Sequence, residues 1–345
     1  MSRRAAAGGC AVVVVALAVA GSAGSARTNR FVAHRLFSDR ADAQLVNAWG
    51  LAAAPGGVWW VTNEARGSST LYSGSGRKQL LRVSVPGGPT GVVYSGGAGF
   101  AVHGGGRAAP ARFIFACEDG MIRAWAPTVP QGWSQQAEVA VDSGASGAVF
   151  RGLAIAHERL YVTDFHNDRV LMFDARWRRV RRSGAFIDPA ISAWYAPFGI
   201  TAAGGHIFVT YAYRAPVNGN DAPSGGYVDE FDLDGRLLAH VGSRAQLDEP
   251  WGVALAPEGF GRFGDNLLVA NFGSGAINAY VRAGARWTFR GRLPIKVAGV
   301  WGIAFGRGGA GGPPTTLFYA AGPHRWHGAS EVDVHGAFGA IRASS

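Results

Sequence analysis

Cysteine and lysine are nearly missing from this chain of 345 residues: it carries two cysteines, Cys10 and Cys117, and two lysines, Lys78 and Lys296. Cys10 lies ahead of an N-terminal apolar run and would leave with it, so Cys117 has no partner thiol. A disulfide framework is excluded and packing must hold the fold. Charged residues make up only 16% of the chain, while arginine pushes the formal charge to +10. Long apolar runs are also lacking. The strongest, residues 11–20, is about half the roughly 20 residues a bilayer-spanning helix needs. No G-x-S-x-G nucleophile elbow and no H-E-x-x-H zinc motif occurs, and the G-x-G-x-x-G at residues 306–311 runs into Pro313-Pro314 instead of a helix. Asp232-Leu233-Asp234-Gly235 is too short for a calcium loop and reads as a hairpin turn.

What the chain does have at its start is an export pattern. Arg3 and Arg4 precede the apolar run, and residues 21–26 are all small, so residues 1–26 are expected to be a signal peptide. The mature protein, residues 27–345, is then a single domain that is periplasmic or extracellular, monomeric and without a transmembrane segment. Its basic charge favours anionic partners. The densest arginine cluster, Arg176, Arg178, Arg179, Arg181 and Arg182, alternates with Trp177 and Val180 like a solvated strand face. Sequence-specific nucleic-acid binding is not expected.

Glycine is abundant at 52 residues, and much of it is periodic. Six openings share a pair ending in Gly followed by an aliphatic residue: Trp49-Gly50-Leu51, Thr90-Gly91-Val92, Arg151-Gly152-Leu153, Phe198-Gly199-Ile200, Trp251-Gly252-Val253 and Trp301-Gly302-Ile303. Each is followed by a second apolar strand, and most by a third that ends in an aromatic, as in Met121-Ile122-Arg123-Ala124-Trp125. A unit repeated at 40 to 60 residues and written as consecutive short strands predicts an all-β fold, a six-bladed β-propeller. The last repeat is one strand short, whereas residues 31–37 have no repeat of their own. The N-terminal strand is therefore expected to pair with residues 335–341 and close the ring. The opening glycines belong where a Cβ would strike the next blade, with the bulky residue beside each expected to wedge between blades. Residues 96–111 and 216–226 read as long loops on one face.

Polar residues recur after the second strands: Asn63 and Glu64, Glu118 and Asp119, Asp164, His166 and Asn167, Asn271, and His324. In a propeller these positions return to one face, so they are the candidate ligand-binding residues at the channel mouth. The alternative is turn chemistry, since Asn, Asp and Gly are favoured in hairpin turns. His324, His327 and His335 could also meet around a metal.

The stretches Leu45-Val46-Asn47-Ala48-Trp49-Gly50-Leu51-Ala52, FIFACEDG at 113–120, LYVTDFHN at 160–167, PWGVALAPEGFG at 250–261, LLVANFGSG at 267–275 and HGAFGAI at 335–341 resemble an uncharacterised family of exported bacterial β-propeller proteins. That resemblance implies six blades and assigns no activity. More distantly the chain is similar to NHL-repeat and gluconolactonase-like propellers, some of which are metal-dependent lactonases or lyases holding an axial divalent ion such as Ca²⁺ with Asn, Asp or Glu beside the inner glycine. Here those places are Trp49, Thr90, Arg151, Phe198, Trp251 and Trp301. Two readings follow: a non-catalytic scaffold binding a small molecule, glycan or protein, and a metal-dependent lactonase-like hydrolase using the channel-mouth face.

Overall fold

The computed structural model describes residues 30–327, 330–333 and 335–344, so the expected leader lies outside the described residues. Six four-stranded antiparallel sheets succeed one another along the chain. Their inner strands are Ala48–Ala53, Pro89–Tyr94, Phe150–Ala156, Tyr195–Ala203, Pro250–Leu255 and Val300–Phe305, which are the six openings read from the sequence. Each inner strand neighbours the next, and the sixth returns to the first, so the six sheets are the blades of a closed propeller. The last blade combines Val300–Phe305, Leu317–Ala321 and Ala337–Ser344 with Arg30–Ser38, which pairs antiparallel from Arg30 opposite Ser344 to Ser38 opposite Ala337. The expected closure is therefore present.

The glycine of each opening has a double cause. In all six blades the pairing with the second strand slips at the residue–glycine pair, a β-bulge that bends the inner strand and re-aims the side chain before the glycine. The glycine then faces the neighbouring blade's backbone: a Cβ on Gly50 would lie 2.5 Å from the Thr90 carbonyl oxygen, and one on Gly199 2.1 Å from that of Trp251. Buried threonines tie the same seam, with Thr62 Oγ1 donating to the Thr90 carbonyl at 2.8 Å and Thr163 Oγ1 to the Phe198 carbonyl at 2.6 Å.

The bulge also corrects one expectation. The bulky residues before the glycines do not wedge between blades; Trp49, Phe198 and Trp301 turn to the axis and pack into one aromatic cluster, with Trp251 against it. The wedge between blades is the aliphatic residue after the glycine, as where Leu51 packs with Trp59 and Phe318, Val92 with Trp60 and Phe113, and Ile303 with Leu268 and Leu317. Apolar burial is thus divided among six seams and one axial plug.

The insertions differ from the expected loops as well. Residues 96–111 contain a hairpin, Ala101–Gly104 with Arg107–Pro110, whose turn glycines Gly105 and Gly106 sit at φ of 56° and 72°. Phe100 and Val102 are buried in the seam between the second and third blades. Residues 216–226 lie at the tip of an unusually long hairpin in the fourth blade, His206–Arg214 with Asp221–Phe231. The first insertion follows an inner strand and the second joins a second strand to a third, so they project from opposite faces, not one.

Candidate functional site

Two layers of side chains meet at one end of the axis. The bulges supply Trp49, Arg151, Phe198, Trp251 and Trp301, the residues just past the second strands supply Glu64, Glu118, Phe165 and Phe272, and the longer second strand of the fourth blade supplies Ala212. On one side the filling is apolar: Trp49 stacks on Trp301 at 4.0 Å, Trp301 on Phe272 at 3.7 Å, and Phe198 lies edge-on to Trp301 at 5.7 Å. Two indole N–H groups are spent within the plug, with Trp301 Nε1 donating to Asn47 Oδ1 at 2.9 Å and Trp251 Nε1 to the Arg151 carbonyl at 2.9 Å.

On the other side stands Arg151, 8% exposed. Its guanidinium carbon lies 5.4 Å from the Trp49 ring and 5.7 Å from the Phe165 ring. It pairs with Glu118 through a short hydrogen bond and with Asp221 at 3.7 Å. Burial works against the charge, but Glu118, Asp221 and Glu64 outweigh it and raise the arginine's pKa. Glu64 accepts from Asn47 Nδ2 at 2.9 Å. Arg151 Nε and Trp49 Nε1 are buried without a hydrogen-bond partner. A buried donor left unpaired costs about 1–3 kcal/mol, which singles out this spot as one that a ligand acceptor would complete.

The long hairpin of the fourth blade overhangs this mouth and carries Asp221 to Arg151. Beside it, Arg214 Nη1 donates to the carbonyls of Phe165 at 3.1 Å and His166 at 2.6 Å. His166, Trp194, Arg214 and Pro216 line a cavity of about 420 Å³, and Trp194 is 56% exposed there. A larger cavity of about 600 Å³ opens at the other end of the channel, but Leu51, Val92, Leu153, Ile200 and Val253 make it aliphatic. The side chains there that can orient a ligand are chiefly Tyr94, Thr201 and Arg307.

Of the candidate residues, Glu64 and Glu118 come together at this mouth, and His166 lines the cavity beneath the long hairpin. The other candidates with described side chains are held within their own blades. Asn63 Nδ2 donates to Ser68 Oγ and Thr70 Oγ1, each at 3.1 Å. Asp164 accepts from Arg169 Nε and Asn167 Nδ2, each at 2.9 Å. Asn271 accepts from the Asp248 amide at 3.0 Å and donates to the Ala276 carbonyl at 3.1 Å. Asp119 forks onto Arg123 at 3.0 and 2.8 Å. For these, turn and ladder chemistry explains the residue type. His324 is in the strand His324–His327, where side chains lie outside the described set, and His335 Nδ1 meets Asp39 Oδ2 at 3.0 Å. Sequence reasoning missed Asp221, which lies in an insertion with no repeat to align it. The signal for Arg151 was available, since it is the one charged residue among the six inner positions.

An axial divalent ion of the lactonase kind does not fit these residues. The guanidinium of Arg151 would repel it, and the nearby carboxylates of Glu64 and Glu118 are engaged by Asn47 and Arg151. Among the described residues no helix is long and apolar enough to cross a membrane.

No protein-family model matches the chain. It is 30% identical over 281 residues to "Uncharacterized protein R648" of Acanthamoeba polyphaga mimivirus, covering 76% of this chain and 69% of that protein. It is 28% identical over 300 residues to "Uncharacterized protein L690" of the same virus, covering 81% of this chain and 78% of that protein. Among solved structures it is similar to virginiamycin B lyase from Staphylococcus aureus, with TM-score 0.51, 12% identity and coverage of 91% and 99%. It is also similar to the soluble aldose sugar dehydrogenase of Escherichia coli, with TM-score 0.53, 12% identity and coverage of 91% and 100%. At such identities these likenesses show the fold alone.

Proposed function

Since the chain belongs to the family of the mimivirus protein R648, we propose that it is an exported, non-catalytic propeller that binds a glycan at the channel mouth beneath the long hairpin of the fourth blade. The observation that carries this reading is the Glu118–Arg151–Asp221 cluster set over a closed aromatic plug. Carboxylate oxygens accept from sugar hydroxyls, a guanidinium donates to them, and the exposed Trp194 indole offers a flat apolar face to a sugar ring. The plug seals the channel, so a bound ligand sits at its mouth and meets rigid elements there.

Export is supported by the leader pattern in residues 1–26, and an intact-mass measurement on secreted protein tests it. The binding reading is tested by titrating the purified mature protein with neutral and acidic oligosaccharides, followed by calorimetry and tryptophan fluorescence. At least one class is expected to bind saturably, with Trp194→Ala weakening it at least tenfold at an unchanged melting temperature. No heat and no fluorescence change across the panel would overturn the reading.

A further inference from the structure

A second cluster lies in the fourth blade, apart from the channel mouth. Asp229, on the third strand, stands opposite His240 on the fourth, and Asp188 arrives from the segment joining the third blade to the fourth. His240 Nδ1 is 3.0 Å from Asp229 Oδ1 and 3.3 Å from Asp188 Oδ2, and one ligand atom from each of the three lies within 4.8 Å of the others. The two carboxylates are almost fully enclosed, with side chains 2% and 3% exposed, while the imidazole is 60% exposed. One imidazole proton cannot satisfy both acids. Asp229 Oδ2 is buried with no hydrogen-bond donor. The Tyr211 hydroxyl, on the same face of the blade, is likewise buried and unpartnered, within the electrostatic reach of Asp229 and Asp188. Two enclosed carboxylates facing one another are strongly unfavourable unless a positive charge lies between them or they share a proton.

We propose that Asp188, Asp229 and His240 form a binding site for a first-row divalent metal ion, Zn²⁺ being the best match, which pins the inter-blade segment to the fourth blade. Zinc bonds of about 2.0–2.1 Å at tetrahedral angles separate neighbouring donor atoms by roughly 3.3 Å, the scale of the spacings around His240 Nδ1. Calcium fits poorly, because it asks for six to eight oxygen ligands and this site offers two carboxylates and a nitrogen. The Tyr211 hydroxyl or water can complete the coordination. An imidazole ligand on an exposed strand gives the ion a route in from solvent.

The full chain, stripped with chelator and dialysed, would be titrated with ZnCl₂ by calorimetry, with metal content measured after gel filtration and melting followed in parallel. One ion per chain is expected. At about a hundredfold excess over Kd the melting temperature should rise by roughly 5–10 °C. His240→Ala should weaken zinc at least tenfold, and Asp229→Asn should weaken it too. Absence of saturable zinc binding, or an unchanged melting temperature with zinc present, would mean that the two acids share a proton instead and would overturn the proposal. So would undiminished affinity in His240→Ala, which would assign the ion to other histidines.

Discussion

Gly199→Ala tests the reasoning behind the whole ring. A Cβ at this position would sit 2.1 Å from the Trp251 carbonyl oxygen, 2.8 Å from its carbonyl carbon and 2.8 Å from Thr210 Oγ1. The first two are backbone atoms of the next inner strand, so no rotamer change relieves the clash. The adjacent Gly199 amide also donates to Thr210 Oγ1 at 2.8 Å, which resists a local shift. Relief requires the fourth and fifth blades to separate, and in a closed ring that displacement passes to the other seams. Overpacking in a tight core costs about 1–3 kcal/mol, and the backbone contact places this case at the upper end. At roughly 2–4 °C per kcal/mol the melting temperature should fall by about 6–12 °C. Gly132→Ala is the control, since its Cβ would meet nothing within 4 Å. Thermal unfolding followed by near-ultraviolet circular dichroism reads both. If Gly199→Ala melts within 2 °C of the Gly132→Ala control, the close approach of inner strands does not explain the repeated glycine.

Phe31→Ala probes ring closure: Phe31 is 7% exposed and packs on Phe260 at 5.2 Å and Phe263 at 5.5 Å, so its loss should cost about 3–5 kcal/mol in denaturant unfolding. An effect below 1 kcal/mol would mean that the N-terminal strand is dispensable. Burial pushes the Cys117 thiol up to about 12, so the native protein should resist a thiol reagent at neutral pH and react fully once unfolded. Burial alone would raise the pKa of Asp42, but Lys78 at 2.8 Å, the Tyr72 hydroxyl at 2.6 Å and the Gln44 amide at 3.1 Å hold it below its ordinary value. A depressed carboxylate stabilises the fold above its unfolded pKa, roughly 3.9, and that contribution fades as pH falls through the folded value. Wild type should therefore lose stability below about pH 4 more steeply than Asp42→Asn, as pH-dependent melting would show.

The architecture was legible because it is periodic. Trp49-Gly50, Arg151-Gly152 and Trp251-Gly252 mark the same bulge in successive blades, and a steric demand that recurs leaves a repeated glycine in the sequence. The turn from blade face to axis was not legible, because a bulge redirects a side chain without changing its residue type. Trp301 looked the same whether it packed between blades or on Phe272. The insertion hairpin at Gly105-Gly106 was hidden by its own glycines, which in sequence resemble any glycine-rich loop.

By itself, then, the sequence determined the six blades, the strand order within each and the closure of the last blade by residues 31–37, since all follow from local pattern and chain count. Tertiary structure alone decided which polar residues share a site. Asn63, Asp164 and Asn271 resemble Glu64 and Glu118 in type and position, yet hydrogen bonds within their own blades hold the first group in place, whereas an arginine from a different blade gathers the second. Asp221 meets Arg151 only through the reach of one long hairpin, and Asp188 meets Asp229 and His240 only where the segment between two blades packs on the fourth. Convergence across blades depends on three-dimensional placement, which no sequence spacing records.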